Sequence, residues 1–168
     1  NFTRLFIDPK VMGKYVAFCE GDDYWIDSHK LQKQVDYMEA NPDCSMTMHA
    51  SNIMIEEAVC YDDVRSDHEV DYTTEECIKR GGGYWATASL VCRAQYALEY
   101  PVYRELTSTG DSALIMHMAL NGRVHYFPEI MAVHRTFHVG SWSANHLNNL
   151  DGFSEFQKEY VELYQCMN

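Results

Sequence analysis

Three carboxylates fall within four residues, Glu20, Asp22 and Asp23 around Gly21. Side chains of one charge crowded this closely repel each other, and such a cluster is usually kept where a cation neutralises it. Hard oxygen ligands select magnesium, manganese or calcium over zinc. Magnesium in particular is often held by only one or two carboxylates and completed by substrate phosphates. The bland alternative is a solvated acidic turn that caps the following helix through its dipole. A fourth carboxylate, Asp111, opens a predicted helix, where it serves at least as a candidate cap.

The elements around these residues decide where the carboxylates can point. Lys14-Tyr15-Val16-Ala17-Phe18-Cys19 is a short, nearly continuous apolar run between Gly13 and Gly21, the pattern of a strand buried on both faces. The acidic turn therefore sits at the C-terminal end of a strand, where open α/β sheets place ligand crevices. A helix over 29–40 should follow, with Ser28 as N-cap, Leu31, Val35 and Met38 on its apolar face and Asn41-Pro42 as its stop. Ser45 to Ile55 reads as a strand. Thr73 or Thr74 with Glu75 and Glu76 marks a short capped helix ending at Gly81-Gly82-Gly83. No Lys-Ser/Thr follows these glycines, so they read as a loop and not as a phosphate cradle. Tyr84 to Arg93 is predicted to be a strand, and Asp111 to Leu120 a helix with Leu114, Ile115 and Met118 inward and Gly122 as its close. Arg123 to Phe127 and Ile130 to Arg135 should be two short strands divided at Pro128. Phe153, Phe156, Tyr160, Leu163, Tyr164 and Met167 recur at helical spacing and mark a C-terminal amphipathic helix.

Composition narrows the function classes. The 168 residues are 46% hydrophobic and 23% charged, enough apolar material for one ordinary domain. The formal net charge is -12 and the 13 Lys and Arg are scattered, which argues against nucleic acid as a partner. An acidic protein that handles a phosphorylated ligand needs a cation as intermediary. No run of about 18 apolar residues appears, so no membrane span is expected. Six widely spaced cysteines without a CxxC pair disfavour zinc and make a disulfide framework unnecessary. A cytoplasmic location is the simpler expectation, with a peripheral place at the inner face of the membrane as its variant.

The run from Gly13 through Glu20-Gly21-Asp22-Asp23-Tyr24-Trp25-Ile26-Asp27, followed by Lys30-Leu31-Gln32-Lys33-Gln34-Val35-Asp36, resembles the central signature of family 2 glycosyltransferases with the GT-A fold. The similarity is to bacterial members that build cell-surface polysaccharides. It continues through Gly110-Asp111, Leu120-Asn121-Gly122-Arg123, Phe127-Pro128-Glu129 and Ala132-Val133-His134-Arg135 to Gly140-Ser141-Trp142-Ser143. The resemblance implies a partial GT-A mixed sheet flanked by helices. It also implies inverting transfer of a sugar from a nucleoside diphosphate donor to a saccharide or lipid-linked saccharide acceptor. Under it, Glu20 lies near the ribose of the nucleotide, and Asp22 and Asp23 hold the Mn2+ or Mg2+ that bridges the diphosphate. Asp111 becomes the catalytic base, although many members have two consecutive acids where this chain has Gly110 before Asp111. His138 stands one place late for the histidine that reaches the diphosphate or metal, and Phe137 occupies its position unless the backbone bulges. Trp25, Trp85 and Trp142 become candidates for stacking on acceptor sugars.

A GT-A domain normally binds the nucleotide base through βαβ units ahead of the acidic turn, and one such unit needs about 30 residues. Twelve residues precede Gly13. The expectation is therefore a single domain over 1–168 that carries the metal-binding and acceptor side, lacks its nucleotide-binding part and is inactive by itself if so truncated. Two rival readings stay open. One is a non-catalytic binding domain that keeps part of the fold. The other is a magnesium-dependent phosphohydrolase-like enzyme, disfavoured because no Asp-x-Asp-x-Thr motif, His-x-His pair or Walker sequence accompanies the acids.

Overall fold

The computed structural model describes residues 13–55, 57–99, 110–137, 158–159, 161–163 and 165. In chain order the elements are β1 (Tyr15–Ala17), β2 (Tyr24–Trp25), α1 (Lys30–Ala40), β3 (Cys44–Ile55), β4 (Ala58–Asp63), β5 (Val70–Tyr72) and α2 (Thr74–Arg80). A single 3-10 turn (Thr87–Ser89), β6 (Val91–Arg93), α3 (Ala94–Ala97), α4 (Gly110–Asn121) and β7 (Arg123–Arg135) follow. All seven strands join one mixed sheet, with main order β1-β6-β3-β7-β2. β3 and β7 are its long parallel pair, matched from Cys44 opposite Arg123 to Met54 opposite Arg135 with register shifts after Cys44, His49 and Ala50. The outer edge of β3 takes β6 at Met46–Thr47 and β4 from Ser51 onward, both antiparallel. The outer edge of β7 takes β5 at Val124–Tyr126 and β2 at Ala132–Val133, also antiparallel.

Helices cover both faces. Strand alternation sends Thr47 to α1, where it meets Gln34 and Met38, and sends Met46 and Met48 to the opposite face, where they join Leu114, Ile115 and Met118 of α4. Ser112 to Ala119 are all buried, because α4 lies between the sheet and the helices α2 and α3. α2 starts on a complete capping box: Glu76 N–H donates to the Thr73 hydroxyl, and Thr73 N–H donates to the Glu76 carboxylate. In the C-terminal segment the described residues are helical and Leu163 is buried. Phe153, Phe156, Tyr160, Tyr164 and Met167 lie outside the described residues.

Several expectations need correction. β1 is not central: among the described residues it pairs with β6 alone and ends the sheet, with Tyr15 half-buried, Val16 buried and Ala17 exposed. The predicted strand Tyr84 to Arg93 is extended only at Val91–Arg93; its first part is irregular and turns through Thr87–Ser89. The expected break at Pro128 is a bulge inside one continuous strand. His49 faces Phe127 and Ala50 faces Ile130, so Pro128 and Glu129 are extra residues and the missing proline N–H costs no ladder bond.

α1 begins at Lys30 with His29, not Ser28, at its N-cap position and no side-chain cap hydrogen bond; just ahead of it Asp27 Oδ1 accepts the His29 N–H at 2.7 Å. Its buried stripe is Lys30, Gln34 and Met38, while Leu31 is exposed. The surface beneath α1 is polar, which explains the inversion. The Gln34 amide donates to Thr47 Oγ1 (3.2 Å) and the Ser89 carbonyl (2.9 Å), and its oxygen accepts from Lys30 Nζ (2.8 Å). A buried carbonyl needs such a donor.

α4 is seated against the start of β3. Ser45 Oγ donates to the Met118 carbonyl at 2.7 Å, and the Arg123 N–H donates to the Asp43 carbonyl at 2.9 Å. The link between α4 and β7 passes so close that a Cβ on Gly122 would lie 2.6 Å from the Asp43 oxygen and 2.8 Å from Ser45 Cβ. Gly122→Ala should therefore destabilise the fold by about 1–3 kcal/mol, lowering the melting temperature followed by circular dichroism. An unchanged melting temperature would mean that this link relaxes freely.

Candidate functional site

The acidic turn forms where the chain leaves the sheet after β1 and returns as β2. Phe18 is still tied to the sheet layer through its N–H to the Leu90 carbonyl (3.2 Å). The Asp23 N–H then donates to the Glu20 carbonyl (3.2 Å), closing a turn over Glu20, Gly21 and Asp22. Tyr24 and Trp25 pair with Val133 and Ala132, and the Ile26 N–H reaches the Met131 carbonyl at 3.0 Å. Asp23 is buried at 8% exposure, and its Oδ1 accepts the backbone N–H of Arg135 at 2.8 Å. One carboxylate of the turn is thus pinned to the end of β7.

Glu20 reports what else is close. Its side chain reaches solvent, yet partial burial and the negative charges of Asp23, Asp111 and Asp22 push its carboxyl up to about 7, opposed by His134. Asp111, about ninety positions away in the chain, therefore shares the electrostatic environment of the turn. It is not the N-cap but the second residue of α4. Its Oδ1 accepts the Ser112 N–H at 2.8 Å and its Oδ2 accepts the Gly83 N–H at 3.2 Å. Burial raises the Asp111 carboxyl above its ordinary range, while these two N–H donors oppose the rise.

The three tryptophans separate. Trp25 is 36% exposed beside the turn, with its indole N–H donated to the Ala88 carbonyl at 3.0 Å and the Lys30 ammonium 4.6 Å from its ring centroid. Trp85 is 2% exposed and packs edge-on against Tyr72 and Tyr84, so it belongs to the core and offers no face to an acceptor. Trp142 and His138 lie outside the described residues. Phe137, just before His138, is exposed with a left-handed φ of 57°, a conformation uncommon for a residue with a side chain.

Among the described residues no three His, Cys, Asp or Glu side chains converge as a ready metal cage. Two adjacent carboxylates such as Asp22 and Asp23 could supply only part of a cation's coordination shell, with the rest left to a ligand. The structure adds two residues to which the sequence assigns no site role. His134, near the end of β7, acts electrostatically on both Glu20 and Asp63. Gly83 contributes a backbone N–H, which its side-chain-free sequence position does not advertise. His134 stood in the run Ala132-Val133-His134-Arg135 that carries the resemblance, without a role of its own.

No family model matches the chain. Uncharacterized proteins from Mycobacterium bovis and Mycobacterium tuberculosis are 31% identical to it over 140 residues, covering 77% of this chain and 37% of theirs. The chain thus spans little more than a third of the length of these curated relatives. The crystal structure of S. aureus TarS 1-349, a glycosyltransferase, matches with a TM-score of 0.53 at 13% identity, covering 75% of this chain and 37% of that one. The fold is glycosyltransferase-like: a curled mixed sheet flanked by helices. No described helix is long and apolar enough to cross a membrane.

The raised carboxyl of Glu20 gives an expected pH dependence of stability. A carboxyl whose folded value lies above its unfolded one stabilises the fold while protonated, and that contribution disappears as pH rises through the folded value. Without added metal, the melting temperature should therefore fall between about pH 4.5 and 7 by an amount that Glu20→Gln removes. Parallel melting curves against pH for the two proteins would contradict this.

Proposed function

We propose that this chain carries the metal-binding and acceptor-side half of an inverting, family 2-type glycosyltransferase active site, which moves a sugar from a nucleoside diphosphate to a hydroxyl acceptor. The observation that carries the reading is the shared environment of Glu20, Asp22, Asp23 and Asp111 at the C-terminal end of β1. The glycosyltransferase-like fold supports it.

In this reading Asp22 and Asp23 hold Mn2+ or Mg2+ together with the donor diphosphate. The cation, when bound, stabilises the negative charge that develops on the departing diphosphate. Asp23 is preset for this role by the Arg135 N–H, and Glu20 lies beside the nucleotide. Asp111 takes the proton of the acceptor hydroxyl as its oxygen bonds to the anomeric carbon. The bond from that carbon to the diphosphate oxygen breaks, its electron pair leaves with the nucleoside diphosphate, and in-line attack inverts the centre. Burial raises the Asp111 carboxyl above its ordinary range, which makes its ionised form a stronger base than a solvated carboxylate. Trp25, exposed beside the turn, is a candidate acceptor contact, and a saccharide or lipid-linked saccharide is the expected acceptor class.

Both halves of the proposal can be tested in the complete protein that carries this chain. With a panel of nucleoside diphosphate sugars and release of nucleoside diphosphate as readout, Asp111→Asn should lower turnover by about 100- to 10,000-fold while the protein stays folded. Near-normal turnover would remove Asp111 as the base. In calorimetry, nucleoside diphosphate should bind only with Mn2+ or Mg2+ present, and Asp23→Ala should abolish that dependence. Equal metal-dependent binding by the variant would reject the metal assignment. Absence of turnover with every donor tested would favour a non-catalytic binding domain.

A further inference from the structure

The Gly81–Gly83 turn touches the proposed base through the Gly83 N–H. It connects α2 to the core segment at Trp85, and α2 is fastened along α4. At the far end of α4, Thr74 Oγ1 donates to the Ala119 carbonyl at 2.8 Å; at its start, the Gly83 N–H meets Asp111 Oδ2. The two helices therefore run antiparallel, held together at both ends. The turn is closed on itself as well. The Gly81 N–H donates to the Cys77 carbonyl (3.1 Å), and Arg80 Nη1 donates to Tyr84 Oη (3.0 Å) across the three glycines. Tyr84 in turn packs edge-on against the buried Trp85. Gly81 and Gly83 have φ of 66° and 75°, in the left-handed region that glycine enters without steric cost.

We propose that this turn is a positioning device for Asp111: its left-handed backbone presents the Gly83 N–H to one oxygen of the Asp111 carboxylate and fixes the carboxylate's rotation toward the acidic turn. Gly83 is a positioning residue and touches no reacting atom. The Ser112 N–H alone, from the adjacent residue, would leave the second oxygen without this tether. A hydrogen bond to the carboxylate also favours its charged form. Glu20 shares this environment, since the Asp111 charge contributes to raising the Glu20 carboxyl.

A Cβ on Gly83 would meet nothing within 4 Å, so Gly83→Ala perturbs backbone conformation without a clash. Asparagine tolerates positive φ and keeps the N–H, so Gly83→Asn is the conservative counterpart. The inference rests on the proposed function only in calling Asp111 the base; the contact can be read without turnover. In protein labelled with 13C-aspartate and 15N-glycine, the Asp111 signal is assigned by its loss in Asp111→Asn. The Gly83 amide proton should titrate with the same midpoint as the Asp111 carboxyl and stop doing so in Asp111→Asn. Gly83→Ala should raise that midpoint by roughly one pH unit. It should also lower kcat about 10- to 100-fold at unchanged donor KM, and Gly83→Asn should restore both. A Gly83 amide that ignores Asp111 overturns the proposal even if Gly83→Ala does not fold, as does a folded Gly83→Ala with wild-type titration. If Asp111→Asn turns over normally while the Gly83 amide follows Asp111, the base assignment fails and the tether stands. If Asp111→Asn is inactive and the amide does not respond, the tether alone fails.

Discussion

The parallel contact between β3 and β7 is the constraint from which the remaining structure hangs. Parallel neighbours cannot be joined by a tight turn, so the chain must travel from one end of the pair back to the other between Ile55 and Arg123. On that path it lays down β4, β5, α2, β6, α3 and α4. Each long strand spends one edge on its partner and keeps one free. β6 and β4 share the free edge of β3, and β5 and β2 share that of β7. The place of β2 near the end of β7 is what brings Asp23 within reach of the Arg135 N–H. A register slip of one residue would move that donor and send every side chain of the pair to the wrong face.

Backbone donors recur at the candidate site. Asp23 accepts from Arg135, and Asp111 accepts from Gly83 and Ser112. Peptide N–H groups supply partial positive charge from a rigid framework, and they take up less of the site's volume than a lysine or arginine head would. Carboxylates held in this way keep negative potential on the open side, which suits a ligand that arrives with its own cation. Behind the turn lies a different arrangement. The Lys30 ammonium is buried against Gln34 and the Trp25 ring, and burial lowers it to about 8. It ties the residues that follow Asp23 to the polar underside of α1.

What the sequence revealed follows from which signals are local. The capping box at Thr73 and Glu76, the glycine after α2, and the acidic turn itself are encoded within a few residues, and each was legible. Whether Lys14 to Cys19 is central or at an edge depends on which strands come to pair with it, and apolar composition does not carry that information. The inward stripe of α1 was misread for a related reason. Hydrophobic periodicity assumes an apolar surface beneath the helix, but Thr47 and the Ser89 carbonyl required a polar partner, so Gln34 turned inward and Leu31 outward. Pro128 looked like the end of a strand because the bulging of β7 between Phe127 and Ala132 is invisible without its partner. At the site, the acidic cluster announced itself by composition. The approach of Gly83 to Asp111 did not, since an N–H is common to nearly every residue and only the fold gives it a direction.

The anchoring of α4 makes helix length a quantity on which the site depends. At one end Gly122 lies against Asp43 and Ser45 with no space for a side chain, so the helix cannot slide. At the other end stands Asp111, within the first turn. An inserted or deleted residue between them could not be absorbed at the fixed end. It would swing Asp111 by about 100° around the helix axis and shift it about 1.5 Å along it, away from Gly83 and Glu20 together. The spacing from Asp111 to Gly122 thus acts as a molecular ruler that sets where the carboxylate stands.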